Sequence, residues 1–319
     1  MRSRKPLVAS LMLLVAWAVP AVACPIPVFQ YALEHWTTDP YLVVVHHHGP
    51  LTDDQQAVVA MLKEYEHGER STIANITVLL RDHAQLNTGV SPDRLPRVEV
   101  RYPASSGIRS AVWVGKLDRA ELLTVLDSPA RQEIAKHLLA RKAAVWVVLE
   151  SGNAAADNKA LQTLQRELPR LQTTLEVPQV AEEVGLELGD IQTEITFATV
   201  RVRRDDPKEQ VFVHMLLGVE PDLNDFKDKP LVFPVYGRGR VMYAMVGEGI
   251  NPRTIAAAGE FLVGPCSCQI KEDNPGVDLL LPVDWQSQVK RRTRLAVPGG
   301  AGAQDFLKRL DQLDKASDK

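Results

Sequence analysis

Tyr41-Leu42-Val43-Val44-Val45-His46-His47-His48-Gly49-Pro50 and Ala144-Val145-Trp146-Val147-Val148-Leu149-Glu150-Ser151-Gly152 decide the fold. Each opens with a short, β-branched apolar run of the kind that forms a buried strand. Each then breaks into polar residues and a turn. After the first, Ala57, Val58, Met61, Leu62 and Tyr65 recur at helical spacing, and Ala74 to Leu80 reads as another strand. After the second, Leu161, Leu164, Leu168 and Leu171 line one helix face, and Ile195 to Val202 reads as a strand. Strand, helix, strand twice over predicts two βαβ units with right-handed crossovers.

Each unit is followed by a predicted antiparallel pair and a helix. In the first half, Leu95 to Tyr102 alternates apolar and charged residues, and Ser110 to Gly115 is its partner. Helices then span Arg119 to Leu126 and start again at Pro129, with Asp127-Ser128 as the cap. In the second half, Val211 to Leu217 predicts a short helix. Pro230 to Gly237 pairs with Arg240 to Gly247 across a tight turn, whose arginines Arg238 and Arg240 are expected in solvent. Asn251-Pro252 opens a helix carrying Ile255, Phe261 and Leu262. The predicted class is α/β, with two mixed central sheets flanked by helices.

This order resembles the thioredoxin fold over roughly residues 40–265. Phe233 to Val263 runs as thioredoxins do: a proline, a strand, a glycine turn, a strand, Val-Gly and a helix. Leu95-Pro96-Arg97-Val98 and Val114-Gly115 repeat that layout in the first half. The resemblance implies two tandem thioredoxin-like domains, 40–142 and 143–285. It also implies cis prolines at Pro96 and Pro234, placed at the start of each third strand and beside a groove for extended peptide. Cys24-Pro25-Ile26-Pro27-Val28-Phe29 and Gly264-Pro265-Cys266-Ser267-Cys268 are also similar to phrases of uncharacterised secreted bacterial proteins, a family that implies no reaction.

A thioredoxin carries Cys-x-x-Cys after its first strand, where a helix N-terminus lowers the thiol pKa. Here those positions read His46-His47-His48-Gly49-Pro50 and Glu150-Ser151-Gly152-Asn153-Ala154-Ala155-Ala156-Asp157. Neither holds a thiol, so disulfide exchange there is chemically impossible. The expected role is therefore binding or scaffolding, as in the non-catalytic thioredoxin-like domains of protein disulfide isomerases and calsequestrins. Three consecutive histidines in a strand cannot all reach one metal. His46 and His48 share a face, either as weak zinc ligands with Asp53 or Asp54, or as polar strand-end residues satisfied by neighbours. Cys266 and Cys268 form a Cys-x-Cys pair that suits a structural disulfide, redox exchange or a soft metal, and Cys24 is an alternative partner for either. No cofactor is expected.

Arg2, Arg4 and Lys5, the apolar run Leu7 to Val19 and Ala21-Val22-Ala23 read as a signal peptide over 1–23. Its removal takes the formal charge from −3 to −6. Cys24 follows directly and resembles a lipobox cysteine, with Ala21 where Leu is usual, so a lipid anchor at Cys24 is an alternative to simple secretion. Residues 24–39 form an N-terminal extension and 286–319 a basic, flexible tail that contains Lys290-Arg291-Arg292 and Pro298-Gly299-Gly300. With 24% charged residues and a net charge of −3, nothing favours nucleic acid. No membrane span remains after signal cleavage. The expected protein is secreted or periplasmic, and its partner is an unidentified envelope or extracellular protein. The alternatives are a disulfide oxidoreductase or a metal-binding protein using Cys266 and Cys268.

Overall fold

The computed structural model describes residues 24–67, 74–86, 91–177, 191–266 and 271–289. The expectations for the leader, for Cys268 and for the tail from 290 onward fall outside these residues.

The described residues begin with β1 (Cys24–Pro27) and α1 (Val28–His35). The first half comprises β2 (Tyr41–His47), α2 (Asp53–His67), β3 (Ile76–Asp82), α3 (His83–Leu86), β4 (Arg97–Arg101), β5 (Ala111–Lys116), α4 (Arg119–Leu126) and α5 (Pro129–Leu139). The second comprises β6 (Ala144–Glu150), α6 (Ala154–Thr174), β7 (Phe197–Arg203), α7 (Gln210–Leu217), β8 (Leu231–Tyr236), β9 (Arg240–Val241), β10 (Met245–Val246) and α8 (Pro252–Val263). After it come β11 (Pro265–Cys266), β12 (Val277–Asp278) and α9 (Trp285–Gln288).

One sheet has the order β3-β2-β4-β5, and the other β12-β9-β8-β6-β7 with β10 on β8. In both, the half's first two strands pair in parallel and its first and third strands pair antiparallel. The sequence therefore folds twice into the same second-first-third-fourth order, an α/β arrangement of two mixed sheets with flanking helices. Among the described residues no helix is long and apolar enough to cross a membrane.

Local chemistry fixes the helix starts. Asn153 accepts from the Ala155 and Ala156 N–H groups at the head of α6, and Asn251 with Thr254 forms a capping box on α8. Asp118 caps α4 by accepting from Glu121 N at 2.9 Å. Pro129 does open α5, but Ser128 is not its side-chain cap. The Ser128 hydroxyl accepts from the buried Arg131 guanidinium at 3.0 Å, and Glu209 reaches across from the second half to accept from Ala130 N at 2.8 Å. A carboxylate there meets the positive end of the helix.

Two cores result. The larger lies between the sheets. Val43, Val45, Val98 and Val100 from one sheet and Val145, Val147, Leu149 and Phe233 from the other close on α4, α5 and α7. The second lies on the far face of β6, where Trp146 and Val148 meet α6, α8 and the N-terminal Ile26, Phe29 and Ala32. Residues 24–39 are thus part of the second half's packing.

The hairpin at Tyr236–Gly239 differs from expectation. Arg238 and Arg240 are buried. Arg238 donates to the carbonyls of Leu33 and Glu34 at 2.8 and 3.2 Å, at the negative end of α1. Arg240 pairs with Asp278 at 3.1 Å, and Lys271 bonds the other Asp278 oxygen. The hairpin tip is covered by α1 and the 271–278 segment. A Cβ at Gly237, where φ is +58°, would sit 2.6 Å from that of Ala32, which is why glycine stands at this contact.

Asp278, 3% exposed, is the carboxylate shared by Arg240 and Lys271; its removal leaves the buried Arg240 guanidinium with carbonyl partners alone and Lys271 with Asp39 at 2.9 Å as its remaining carboxylate. Asp278→Ala should cost about 3–5 kcal/mol in urea unfolding. Arg203→Ala, which breaks the exposed Arg203–Asp205 pair, should leave the midpoint unchanged.

Candidate functional site

The C-terminal end of β2 carries the most concentrated polar chemistry of the first half. β2 alternates its side chains, so Tyr41, Val43 and Val45 enter the core while Leu42, Val44 and His46 point to the opposite face. The register puts Arg81, His46, Arg97 and Lys116 in one row across the sheet, and Leu79, Val44, Glu99 and Val114 in the next.

His46 is 4% exposed. Its Nδ1 lies 2.9 Å from His83 Nε2, and its Nε2 lies 3.3 Å from Glu99 Oε2. Glu99 also accepts from Arg101 Nε at 2.8 Å. A carboxylate only accepts, so His46 Nε2 carries the hydrogen and donates to Glu99. A neutral His46 then accepts at Nδ1, and His83 Nε2 donates to it. The rings stack at 5.2 Å between centroids. Burial lowers the pKa of His46 below the ordinary histidine value, against the hydrogen bond to Glu99, which raises it. Burial works to raise Glu99, but the Arg101 hydrogen bond and charge, with His46, hold it below the usual carboxylate value. The arrangement can hold a proton in an ordered chain; none of its members is a nucleophile that exchanges disulfides.

His48 lies beyond the end of β2 and is exposed, so the structure brings His46 to His83 and Glu99 instead. His47 donates to the Gly49 carbonyl at 2.8 Å, and Asp82 accepts from Gly49 N and Ala84 N. Among the described residues no group of three or more His, Cys, Asp or Glu is placed to hold a metal ion. His83 and Glu99 carry no local sequence signal. They lie 37 and 53 positions from His46, and only the strand register assembles them.

The matching end of β6 is closed by its own loop. Asp157 accepts from Ser151 N and Oγ at 2.8 Å and from Gly152 N at 3.0 Å. Next to it is a cavity of about 390 Å³, lined by Ala156, Lys159, Phe226, Pro230, Val246 and Ile250 among others.

The prolines separate. The Leu95–Pro96 peptide is cis, and Pro96 directly precedes β4. Pro234 does not begin its strand and is not preceded by a cis bond. It is the fourth residue of β8, buried and paired with Trp146. Pro230 holds the position before the strand, so the expected groove at Pro234 has no surface to occupy. The sequence misleads at this point because Pro230 and Pro234 flank the same apolar run.

Cys266 lies in β11, whose strand partner is β1, in a two-stranded pair separate from both larger sheets. On the outer face of the first sheet Val44 and His46 are buried, whereas, among the described residues, Leu79 is 47% and Val114 51% exposed and neither belongs to a core. Comparison with known proteins finds no matching family model, no matching curated protein and no matching solved structure.

The His46 shift has a sign. Folded His46 binds its proton less readily than unfolded His46, so the unfolded chain gains protons first as pH falls through about 6.5. This contribution to stability is complete above that pH and declines below it, whereas that of Glu99 is lost only in stronger acid. The urea midpoint should therefore fall between about pH 7 and pH 5.5, and fall less in His46→Phe. Equal slopes for the two proteins would refute the assignment.

Proposed function

We propose that this chain is a secreted or envelope-located protein of two tandem thioredoxin-like domains that binds another protein and performs no disulfide exchange at its strand ends. The repeated second-first-third-fourth strand order supports the fold reading. The absence of thiols from 46–50 and 150–157 supports the non-enzymatic one.

The observation that supports the binding role is the outer face of the first sheet, which among the described residues leaves Leu79 and Val114 exposed. Both faces of the second sheet are packed, one against α6, α8 and α1, the other against α7 and the first half. Among the described residues the first sheet packs α2, α4 and α7 on one face, and only the single turn α3 reaches the other, through His83 on His46. Its other face presents Leu79, Val114 and Leu42 among Arg81, Arg97, Arg101 and Lys116, with the Glu99 carboxylate in their midst. A basic, apolar face on a chain of net charge −3 is complementary to an acidic, apolar protein segment. Among the described residues β3 and β5 are the edge strands of this sheet, where an extended segment could pair.

The test is binding of unstructured peptides that alternate acidic and apolar residues. The protein should bind these over matched basic peptides and lose affinity as salt rises. Leu79→Asp with Val114→Asp should weaken binding on the order of tenfold or more while leaving the circular dichroism unchanged. Equal binding of acidic and basic peptides, or indifference to the double substitution, would end this reading.

A further inference from the structure

We propose that the cavity beside the end of β6 binds a small apolar carboxylate. Its floor is apolar: Ala160, Pro230 and Ile250 are buried, and Phe226 and Val246 are half-buried along its walls. At about 390 Å³ it falls in the size range of small-molecule sites, which combine an apolar lining with a few fixed polar groups. Lys159, Lys229 and Glu248 stand exposed at its rim. Glu248 takes up Lys159, whose Nζ donates to both carboxylate oxygens at 3.0 and 3.2 Å. Lys229 pairs with no carboxylate among the described residues, and its ammonium stands 5.3 Å from the centroid of the Phe226 ring. The rim therefore keeps a cation in excess, directly beside apolar surface.

This anchor is built in place. Arg204 Nη2 donates to the carbonyls of Phe226 and Lys229 at 3.1 Å each, and its Nε donates to that of Glu150 at 3.1 Å. One guanidinium thus ties the 226–229 loop to the end of β6. The Gly247 N–H donates to the Pro230 carbonyl at 3.0 Å. Gly247 has φ +50°, and a Cβ there would stand 3.1 Å from Lys229 Cδ, so the lysine stem lies along the glycine. A carboxylate held by Lys229 leaves its attached aryl or alkyl body to cover Phe226, Pro230 and Ile250. An amine meets Lys229 as a like charge, and a neutral amide forfeits the charge-assisted hydrogen bond. A strongly polar body would bury its hydrophilic atoms on this floor without partners. The site belongs to the second half and does not depend on the sheet face of the first.

Phenylbutanoate, its primary amide and phenylbutylamine are titrated against the full chain by calorimetry and ligand-observed NMR. The acid should bind on the order of tenfold more tightly than the amide or the amine, and its affinity should fall as salt rises. Lys229→Ala should weaken the acid by about tenfold, to the level of the amide. Ala156→Leu, which fills the cavity from its wall, should weaken acid and amide alike. Glu248→Gln removes the carboxylate that competes for Lys159 and should tighten the acid by about threefold. Circular dichroism checks that each variant keeps the wild-type spectrum. No binding of the acid, equal affinity for acid and amine, or indifference to Lys229→Ala and Ala156→Leu would overturn the proposal. Loss of the acid in Leu79→Asp with Val114→Asp would place it on the first sheet and overturn it as well.

Discussion

β6 is buried along its whole apolar length and on both faces. Val145, Val147 and Leu149 look into the core shared with the first half, while Ala144, Trp146 and Val148 look into the core under α6 and α8. A strand with no wet face cannot alternate polar and apolar residues, and this one does not. The rest of the molecule is arranged to cover it. α7 and the first half lie on one side, and α1, α6 and α8 on the other. Because α4 and α5 come from the first half and pack into the common core, the halves are not separate bodies on a linker. Arg131 joins them, its guanidinium held by the carbonyls of Thr124, Val125 and Leu280. Burial lowers its pKa to about 10, against the raising influence of Asp127 and Glu209, and a guanidinium so placed is still charged at neutral pH.

Elements governed by local chemistry were legible in the sequence. The apolar runs at 41–45 and 144–149, the cap at Asn251 and the proline at the head of α5 each announce themselves within a few residues. Features that depend on distant partners were not legible. Arg238 and Arg240 sit in a hairpin whose local pattern is that of a solvent-exposed turn, and only α1 and Asp278 bury them. The docking of Ile26 and Phe29 against Trp146 has no signal, because a short apolar stretch fits many surfaces. Pro234 shows the same limit from another side. A proline in an apolar run marks a strand end by propensity, yet β8 admits it at its centre, opposite Trp146. At the candidate site, His46 was visible as a polar residue at a strand end. The pairing with His83 and Glu99 was not, since two different strand registers are needed to create it.

The two halves use one strand order for different ends. In the second, the polar loop after β6 is closed by Asp157 and both sheet faces are packed. In the first, α3 is a single turn and leaves Leu79 and Val114 uncovered. The asymmetry originates in the helix that comes after each half's second strand. α7 brings Phe212, Met215 and Leu216 to fill the space between the sheets, whereas α3 brings His83 to His46 and little apolar surface. One repeat has become the scaffold and the other has kept a surface.

The segment from β1 to α1 packs on the half whose own strands start at Ala144, so the first half is threaded into the middle of the second. A chain emerging N-terminus first would present Ile26 and Phe29 long before the surface that receives them has been made. Those side chains must wait, exposed, through the appearance of some hundred residues that build a different sheet. Non-local closure of this kind slows folding and prolongs exposure to aggregation. The architecture thus places its greatest kinetic vulnerability at the earliest part of the folded chain to emerge, where a holding chaperone would have the most to do.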